Sequence, residues 1–429
     1  MLNVYPTYKD SGIEWQGQIP AHWDETLFFS VAKLKNQTGY IEEDLLSVYL
    51  DKGVIRTIDS DGKQVHKPSE DLSKYQLVDI GDFVMNNQQC WRGSVGVSSF
   101  RGIVSPAYHV FELSSSLNYR YANYLLRDQY MVGQYKVASK GVGSIQQILY
   151  FPWFKKCLCL IPPQEEQRQI VAYLDYKSNK INERICQRER ELQTLSELKQ
   201  AEIAAVVTRG LDPNVPMKES GIEWLGKIPA HWELLRNKIF ITERDNVVGQ
   251  DAYKYTLLSL TKQGVIQRDI ESGKGKFPKE FDNYKIVESG NIIFCLFDVD
   301  ETPRTVGLSS IDGMITGAYN VFSIKGINSQ FYYYYFLAVD EAKALRPLYS
   351  GLRKVVKTER FAGLRIPVPP EEEQDAIVSY LQSRITIIDN YIAKLKEEIN
   401  YLQEYKQRLI SDVVTGKVDV RGVEIPNEE

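Results

Sequence analysis

The sequence repeats itself, and this duplication constrains the fold more than any other feature. Residues 10–23 read DSGIEWQGQIPAHW and residues 219–232 read ESGIEWLGKIPAHW, so eleven of fourteen positions are identical at an offset of 209. Two further pairs follow in the same order: 95–111 with 306–322 at an offset of 211, and 161–174 with 368–381 at an offset of 207. The chain is therefore a tandem duplication, and each half is expected to share one fold.

Each half is predicted to begin with a mixed region of short strands and a short helix. Residues 45–58, 78–86 and 94–111 are rich in Val, Ile, Tyr and Phe and are interrupted by Gly, Asp and Asn, which is typical of short strands and turns. Tyr119–Tyr130 and Gln330–Ala344 have the pattern of helices.

A long helix is predicted after each mixed region. The proline pairs Pro162-Pro163 and Pro369-Pro370 are each followed by an acidic first turn, which favours the start of a helix. Helices from 164 to about 208 and from 371 to about 415 would each span on the order of 65 Å.

Both long helices carry apolar residues at heptad spacing. Lys406 breaks the second seam, and Arg188, Lys199 and Glu202 interrupt the first. The residues predicted to pack the helices together are Ile181, Ile185, Leu192, Leu195 and Val206 in the first helix and Ile385, Ile388, Ile392, Leu395, Ile399, Leu402, Leu409 and Val413 in the second. The predicted fold is α+β: two mixed α/β domains separated by two antiparallel coiled-coil helices, with a pseudo-two-fold axis between them.

Composition gives broad limits on function. Hydrophobic residues make up 43% and charged residues 25%, as in ordinary globular proteins. With no apolar run near the length of a membrane span and no signal pattern, the chain is expected to be cytoplasmic and to have no membrane partner. The five scattered cysteines are expected to be reduced and structural. The net charge of −4 counts against nucleic-acid binding, although it says little about a local surface.

The motifs of common catalytic centres are missing from the sequence. There is no Gly-x4-Gly-Lys-[Ser/Thr] phosphate loop, no [Asn/Asp]-Pro-Pro-[Tyr/Phe] motif, and no HExxH or clustered Cys/His site. His22 and His231 belong to the repeated motif, where packing or capping is favoured over catalysis. We therefore predict no catalytic residues, no metal site and no cofactor bound by this chain.

Two similar domains held apart by a stiff rod would suit two separate base clusters on one DNA duplex. Polar and basic residues of loops are the candidates for contacts to base edges and phosphates. The candidates are Asn86, Asn87, Gln88, Gln89, Arg92, Lys140, Ser144, Gln146 and Gln147 in the first half and Arg304, Arg353, Lys354, Lys357 and Arg360 in the second. Because segment 349–357 is more basic than segment 139–147, we expect it to contribute more phosphate affinity.

The doubled SGIEW-x-G-x-IPAHW, the doubled [IV]PP-x-EEQ-x-x-IV-x-YL and the Val-Val-Thr near each helix end resemble the specificity subunit of type I restriction-modification enzymes. The resemblance implies target recognition domains at 1–160 and 211–367, each reading half of a bipartite, asymmetric DNA sequence. Residues 161–210 and 368–429 would be conserved spacer helices, the second with a C-terminal tail. The implied partners are double-stranded DNA, two modification (methyltransferase) subunits and two restriction (translocase and nuclease) subunits. S-adenosylmethionine, Mg²⁺ and ATP would belong to those partner subunits.

Two other classes of function stay open on the sequence alone. A duplicated coiled-coil scaffold that binds only proteins would suit the acidic balance. A nuclease with an unrecognised site would cleave DNA as an isolated chain in the presence of a metal ion.

Overall fold

The computed structural model describes residues 3–13, 16–60, 69–142, 146–268, 281–350 and 354–426, with Val142 and Gln146 described by their backbones alone. The chain divides into two compact units. Unit 1 is Met1–Arg188 with Glu397–Glu429, and unit 2 is Glu189–Lys396. Each unit therefore combines one mixed region with a part of each long helix.

Short strands dominate the first mixed region. They are β1 Tyr8–Asp10, β2 Gln18–Pro20, β3 Asp24–Leu27, β4 Ala32–Lys35, β5 Leu46–Tyr49, β6 Gly53–Arg56, β7 Gln76–Val78, β8 Phe83–Asn86, β9 Val95–Val97, β10 Gly102–Val104, β11 Tyr108–Leu113, β12 Ser139–Val142, β13 Gln146–Leu149 and β14 Leu158–Ile161. The helices are α1 Phe28–Val31, α2 Tyr119–Arg127, α3 Gln129–Val137, α4 Phe151–Phe154 and the long α5 Gln164–Arg209, with 3₁₀ turns at Thr57–Asp59 and Cys90–Arg92.

The second mixed region repeats this order of strands. Its strands are β15 Met217–Glu219, β16 Lys227–Pro229, β17 Glu233–Arg236, β18 Ile241–Glu243, β19 Leu258–Thr261, β20 Gly264–Gln267, β21 Lys285–Val287, β22 Ile292–Phe294, β23 Val306–Leu308, β24 Gly313–Ile315, β25 Asn320–Ile324, β26 Tyr349–Ser350, β27 Val355–Val356 and β28 Arg365–Val368. Its helices are α6 Ser329–Glu341, α7 Thr358–Gly363 and the long α8 Glu371–Val414, with 3₁₀ turns at Asn237–Ile239, Gly249–Lys254 and Arg346–Leu348.

The sheets of the two units have the same topology. An antiparallel four-stranded sheet has the order β4-β11-β8-β9 in unit 1 and β18-β25-β22-β23 in unit 2. Smaller two-stranded pairs also correspond, including the hairpins β12–β13 and β26–β27. The predicted α+β fold is confirmed, and the duplication in sequence is a duplication in structure.

Aromatic side chains fill the core of each unit. Trp23 and Phe111 are fully buried in unit 1, as is Trp232 in unit 2, where Phe322 is 1% exposed. The start of each long helix packs against the core of its unit, through Ile170 in unit 1 and the corresponding apolar residues of α8 in unit 2. Burial of this kind stabilises a fold by roughly 1.5–3 kcal/mol per large apolar side chain.

The long helices begin where the proline pairs predict, with acidic residues in both first turns. The helix predicted at Tyr119–Tyr130 is instead two helices, α2 and α3. Asp128 causes the break because its backbone is extended and its side chain caps α3 by accepting a bond from the Tyr130 amide. No helix in the described part of the chain has the length and apolarity to span a membrane.

Within each unit, segments of α5 and α8 pair in antiparallel directions. In unit 1, Arg188 Nε lies 3.0 Å from Glu398 Oε2. In unit 2, Glu202 Oε1 lies 2.7 Å from Arg384 Nε, and Lys199 is likewise paired with α8. The polar residues that interrupt the first seam are therefore ion-paired to the other helix.

The residues proposed for helix packing lie on the inner faces of these segments. Seven of them are buried: Ile181, Val206, Ile388, Leu395, Ile399, Leu409 and Val413. The other six are half-buried: Ile185, Leu192, Leu195, Ile385, Ile392 and Leu402.

Candidate nucleic-acid interface

The two duplicated motifs meet at a glutamate, which fixes each mixed region to the start of a long helix. In unit 1 the Glu166 carboxylate, 4% exposed, accepts hydrogen bonds from the Tyr5 hydroxyl (2.6 Å) and the Trp23 indole nitrogen (3.0 Å). His22 Nε2 lies 2.8 Å from its second oxygen. The bonds join the IPAHW motif to the PP-x-EEQ motif.

Unit 2 repeats this arrangement around Glu373. Its Oε2 accepts a bond from the Trp232 indole nitrogen (3.0 Å) and lies 2.7 Å from His231 Nε2. The side chain of Glu373 is 26% exposed, so this cluster is wetter than its unit 1 counterpart.

The glutamine after each of these glutamates makes a second set of bonds. Gln167 Nε2 donates to the Pro162 carbonyl (2.8 Å), and its Oε1 accepts from the Asn118 amide (2.7 Å). Gln374 makes the equivalent bonds in unit 2, at 2.9 and 2.8 Å. Since Asn118 and its counterpart Asn328 cap α2 and α6, the motif also positions the short helix of each unit.

In unit 1 the structure brings together two predicted DNA-contacting segments, the loop after β8 and the β12–β13 hairpin. The Leu149 amide of the hairpin donates to the Asn87 carbonyl of the loop (3.2 Å). We call the resulting surface, residues 86–92 with 139–142 and 146–149, reading surface 1. Ser144 lies outside the described residues, and Gln146 is described by its backbone alone.

The side-chain amides of reading surface 1 differ in the hydrogen bonds that they make within the protein. Asn86 Oδ1 accepts a bond from the Gln88 backbone, and Gln89 Oε1 accepts one from Arg92 (3.4 Å). Asn87 Oδ1 is buried without a partner in the described chain. The exposed side-chain amide of Gln88 makes no hydrogen bond with any described residue, so it is available to a ligand. Gln147 is engaged within the protein.

An aromatic pair holds Lys140 at the edge of this surface. The ammonium lies 3.6 Å from the centre of the Tyr150 ring and 4.3 Å from that of Trp153. Both rings are partly exposed, at 38% and 43%. Sequence reasoning missed these aromatic residues, although a Tyr and a Trp shortly after the candidate residues of segment 139–147 were a readable signal.

Unit 2 has an equivalent surface, residues 296–304 with 349–350 and 354–357, which we call reading surface 2. The Val356 amide donates to the Leu296 carbonyl (2.7 Å), matching the loop-to-hairpin bond of unit 1, and the Asp298 amide donates to the Lys354 carbonyl (3.0 Å). Asp298 and Lys354 have positive φ angles of 46° and 41°, which non-glycine residues seldom adopt. Arg353 lies outside the described residues.

Carboxylates that sequence reasoning overlooked compensate part of the positive charge of reading surface 2. The Lys354 ammonium contacts Glu301 and lies 3.7 Å from Asp300. The Tyr349 hydroxyl donates to Asp300 (2.5 Å) and lowers the pKa of that carboxyl. These contacts reduce the positive charge that Lys354 can offer to a phosphate, and the greater phosphate affinity expected of segment 349–357 stays a prediction.

The other cations of unit 2 that were predicted to contact DNA have different surroundings. Arg360 donates to two backbone carbonyls, and Arg304 donates to the Lys262 carbonyl (3.2 Å). Lys357 is exposed. Among the described residues there is no group of three or more His, Cys, Asp or Glu side chains that could hold a metal ion.

Comparison with known proteins agrees with this architecture. Residues 237–401 match the family model of the type I restriction modification DNA specificity domain. The type I restriction enzyme MjaVIII specificity subunit of Methanocaldococcus jannaschii is 23% identical over 466 residues, covering 99% of this chain and 100% of the relative. Residues 237–401 therefore match that specificity domain, and nearly the whole chain is similar to a type I specificity subunit. The resemblance found in the repeats is thus confirmed.

Two further comparisons extend over most of the chain. The putative type I restriction enzyme MjaX specificity subunit of the same organism is 22% identical over 377 residues, covering 82% of this chain and 81% of the relative. A chain from a solved structure on complex assembly and conformational transition of the type I R-M system superimposes with a TM-score of 0.67 at 14% identity, covering 93% of this chain and 99% of that chain. At that identity the superposition supports the fold alone.

The family model covers most of unit 2, from Asn237 into α8. Unit 1 has the same sheet order and the same loop-to-hairpin bond. The first half of the chain therefore has the same fold as the half that the family model matches.

Proposed function

We propose that this specificity subunit reads a bipartite, asymmetric DNA target, one half with each unit. The observation that carries the proposal is the occurrence of two equivalent loop-and-hairpin surfaces, one in each copy of the duplicated fold. The proposed recognition domains are residues 1–160 and 211–367, and the proposed spacers are 161–210 and 368–429.

The chemistry of the two reading surfaces supports an asymmetric target. Reading surface 1 offers the Gln88 amide, with Arg92 nearby, whereas reading surface 2 offers carboxylates and cations. Side-chain amides pair well with adenine, arginine pairs with guanine, and carboxylates accept from the cytosine amino group. Two units with such different groups would select different bases.

The second part of the proposal is that the chain holds the other subunits of the enzyme. Exposed aromatic and apolar residues lie on α8, including Ile387 in unit 2 and Tyr401 and Tyr405 in unit 1. Aromatic residues are enriched in protein interfaces. We propose two modification and two restriction subunits as the partners, with S-adenosylmethionine, Mg²⁺ and ATP bound by those partners and catalysis confined to them.

Selection from random DNA duplexes tests the proposal. The chain, co-purified with a candidate methyltransferase subunit, would be used to enrich bound duplexes over several rounds. We expect two clusters of specified bases with an unspecified spacer of fixed length. Enrichment of no sequence by a stable complex would favour the protein-binding scaffold, and metal-dependent cleavage by the chain alone would favour a nuclease.

The exposed amide of Gln88 leads to a prediction about specificity. A Gln88→Ala change is expected to relax the preference at one base position by about 1–3 kcal/mol, because a bidentate amide–base pair is lost. Thermal stability should stay unchanged because the Gln88 side chain is exposed. The measurement is competition binding with duplexes substituted at each position of the selected target.

Gln129→Ala provides the matched control, since Gln129 is an exposed glutamine of the same unit on α3. It should leave every base preference intact. If the Gln88→Ala protein kept the full base preference of the parent, Gln88 would have no role in base recognition.

A further inference from the structure

A second feature of unit 1 is a cleft between the mixed region and the paired long helices. Its volume is about 840 Å³. Arg127 at the end of α2 and Lys406 on α8 both line it, and Asn182 of α5 lies at the same wall. These groups lie outside reading surface 1.

Arg127 is held at the cleft wall by backbone carbonyls. Its Nη2 donates to the carbonyls of Leu50 (3.3 Å) and Asp51 (2.7 Å), while its buried Nε has no partner in the described chain. Burial lowers the pKa of Arg127. The guanidinium is thus fixed in position with part of its hydrogen-bonding capacity unused.

Lys406 is the second cation, and its hydrogen-bond partner is neutral. Its ammonium donates to Asn182 Oδ1 (2.8 Å) and forms no ion pair with a described carboxylate. Burial, and then repulsion from Arg127, lower the pKa of Lys406. The two cations therefore oppose each other in a partly desolvated cleft, which is unfavourable without an anion.

The acids of the cleft are engaged elsewhere or exposed. Asp175 accepts from Arg120 (2.5 Å) and from the Tyr124 hydroxyl (2.8 Å). Asp128 caps α3 and accepts from Ser411 at 3.2 Å. The exposed Asp51 carboxylate favours the charged form of Arg127 but forms no ion pair with it.

The duplication supplies an internal comparison for this cleft. At the helix offset of 207, Lys406 corresponds to Lys199 and Asn182 corresponds to Asp389. In unit 2 that lysine lies 2.7 Å from a carboxylate oxygen, so its charge is neutralised by the protein. Counting from the two helix caps, the counterpart of Arg127 is Leu337. At these positions unit 1 therefore has a cation where unit 2 has a leucine, and a neutral amide where unit 2 has an acid.

We propose that the unit 1 cleft binds a phosphate group through Arg127 and Lys406. A phosphate would take up the free guanidinium donors and neutralise both cations, as Asp389 neutralises Lys199 in unit 2. The phosphate could be free or part of the DNA backbone, and only the second source rests on the proposed function.

The test introduces a carboxylate into the cleft by substitution. Asn182→Asp would recreate the unit 2 pair, so it should raise the Tm in chloride and abolish the additional Tm rise caused by inorganic phosphate at equal ionic strength. Phosphate also stabilises proteins in general by exclusion from their surface, so the difference between parent and variant is the readout. Gln187→Glu, an exposed position on the same helix, adds the same charge outside the cleft and should retain the phosphate response.

Lys406→Gln gives an independent variant that should also lose the response. The proposal is overturned if the parent shows no phosphate-specific rise, or if both variants keep it. In binding to a random duplex, a salt slope reduced by about one in Lys406→Gln would assign the phosphate to DNA. An unchanged slope with a lost phosphate response would support the same site with a free phosphate as its source. These readouts use no target sequence, so they can succeed or fail separately from base reading.

Discussion

Replacing Glu166 with alanine is expected to lower the free energy of unfolding of unit 1 by about 3–5 kcal/mol, because a buried acceptor is lost while its donors stay behind. The Tyr5 hydroxyl and the Trp23 indole nitrogen would both lose their partner in a region that water does not reach. The change would also release the IPAHW motif from the start of α5. Chemical denaturation followed by tryptophan fluorescence measures the effect.

Substitutions of two other glutamates serve as controls for this prediction. Glu165→Ala removes a 67% exposed neighbour on the same turn and should change the stability by less than about 0.5 kcal/mol. Glu373→Ala removes the more exposed counterpart in unit 2, so its effect should lie between the other two, at about 1–3 kcal/mol. Equal losses for Glu165→Ala and Glu166→Ala would contradict the role given to the Glu166 cluster.

The second large effect is expected at the glycine that ends α8. Gly416 has a φ angle of +75°, and a Cβ there would collide with the ring of Pro20 and approach Trp23 Cζ3 at 3.2 Å. A Gly416→Ala change should therefore cost about 1–2 kcal/mol for the left-handed backbone and about 1–3 kcal/mol for overpacking. Thermal denaturation compared with the parent measures their sum.

Gly210, which ends α5, is the matched control. Its φ angle is nearly the same, +76°, but the nearest atom to an added Cβ would be Glu373 Oε1 at 2.9 Å, the end of a side chain that can move. Gly210→Ala should therefore show mainly the backbone cost, about 1–2 kcal/mol. If the two changes were equally destabilising, close packing of α8 on Pro20 would not be the reason for glycine at position 416.

The sequence predicted those features that depend on local signals or on the repeats. The Pro-Pro pairs and the acidic turns located the starts of α5 and α8 because helix starts depend on neighbouring residues. The break at Asp128 was missed although its capping side chain is also a local signal. The interruptions of the first seam looked unfavourable in sequence, but Arg188 and Glu202 meet charges more than 150 residues away.

The reading surfaces were only partly predictable because they depend on long-range pairing. The segments containing Gln88 and Lys140 were both chosen from the sequence, but nothing local indicated that the two would pack together. Likewise, the charge of Lys354 could be counted from the sequence. Its contact with Glu301, however, joins two residues that are far apart in the chain. Sequence charge therefore overestimates the positive character of reading surface 2.

The most direct test of the central claim is to exchange residues 1–160 for the corresponding segment of another specificity subunit and to map modified bases in a genome. The exchanged and parental chains would each be co-expressed with the same methyltransferase subunit. We predict a split methylated motif in both cases, with one half changed and the other half and its spacer retained. A motif that changes in both halves, or that ignores the exchange, would contradict reading by two separate units.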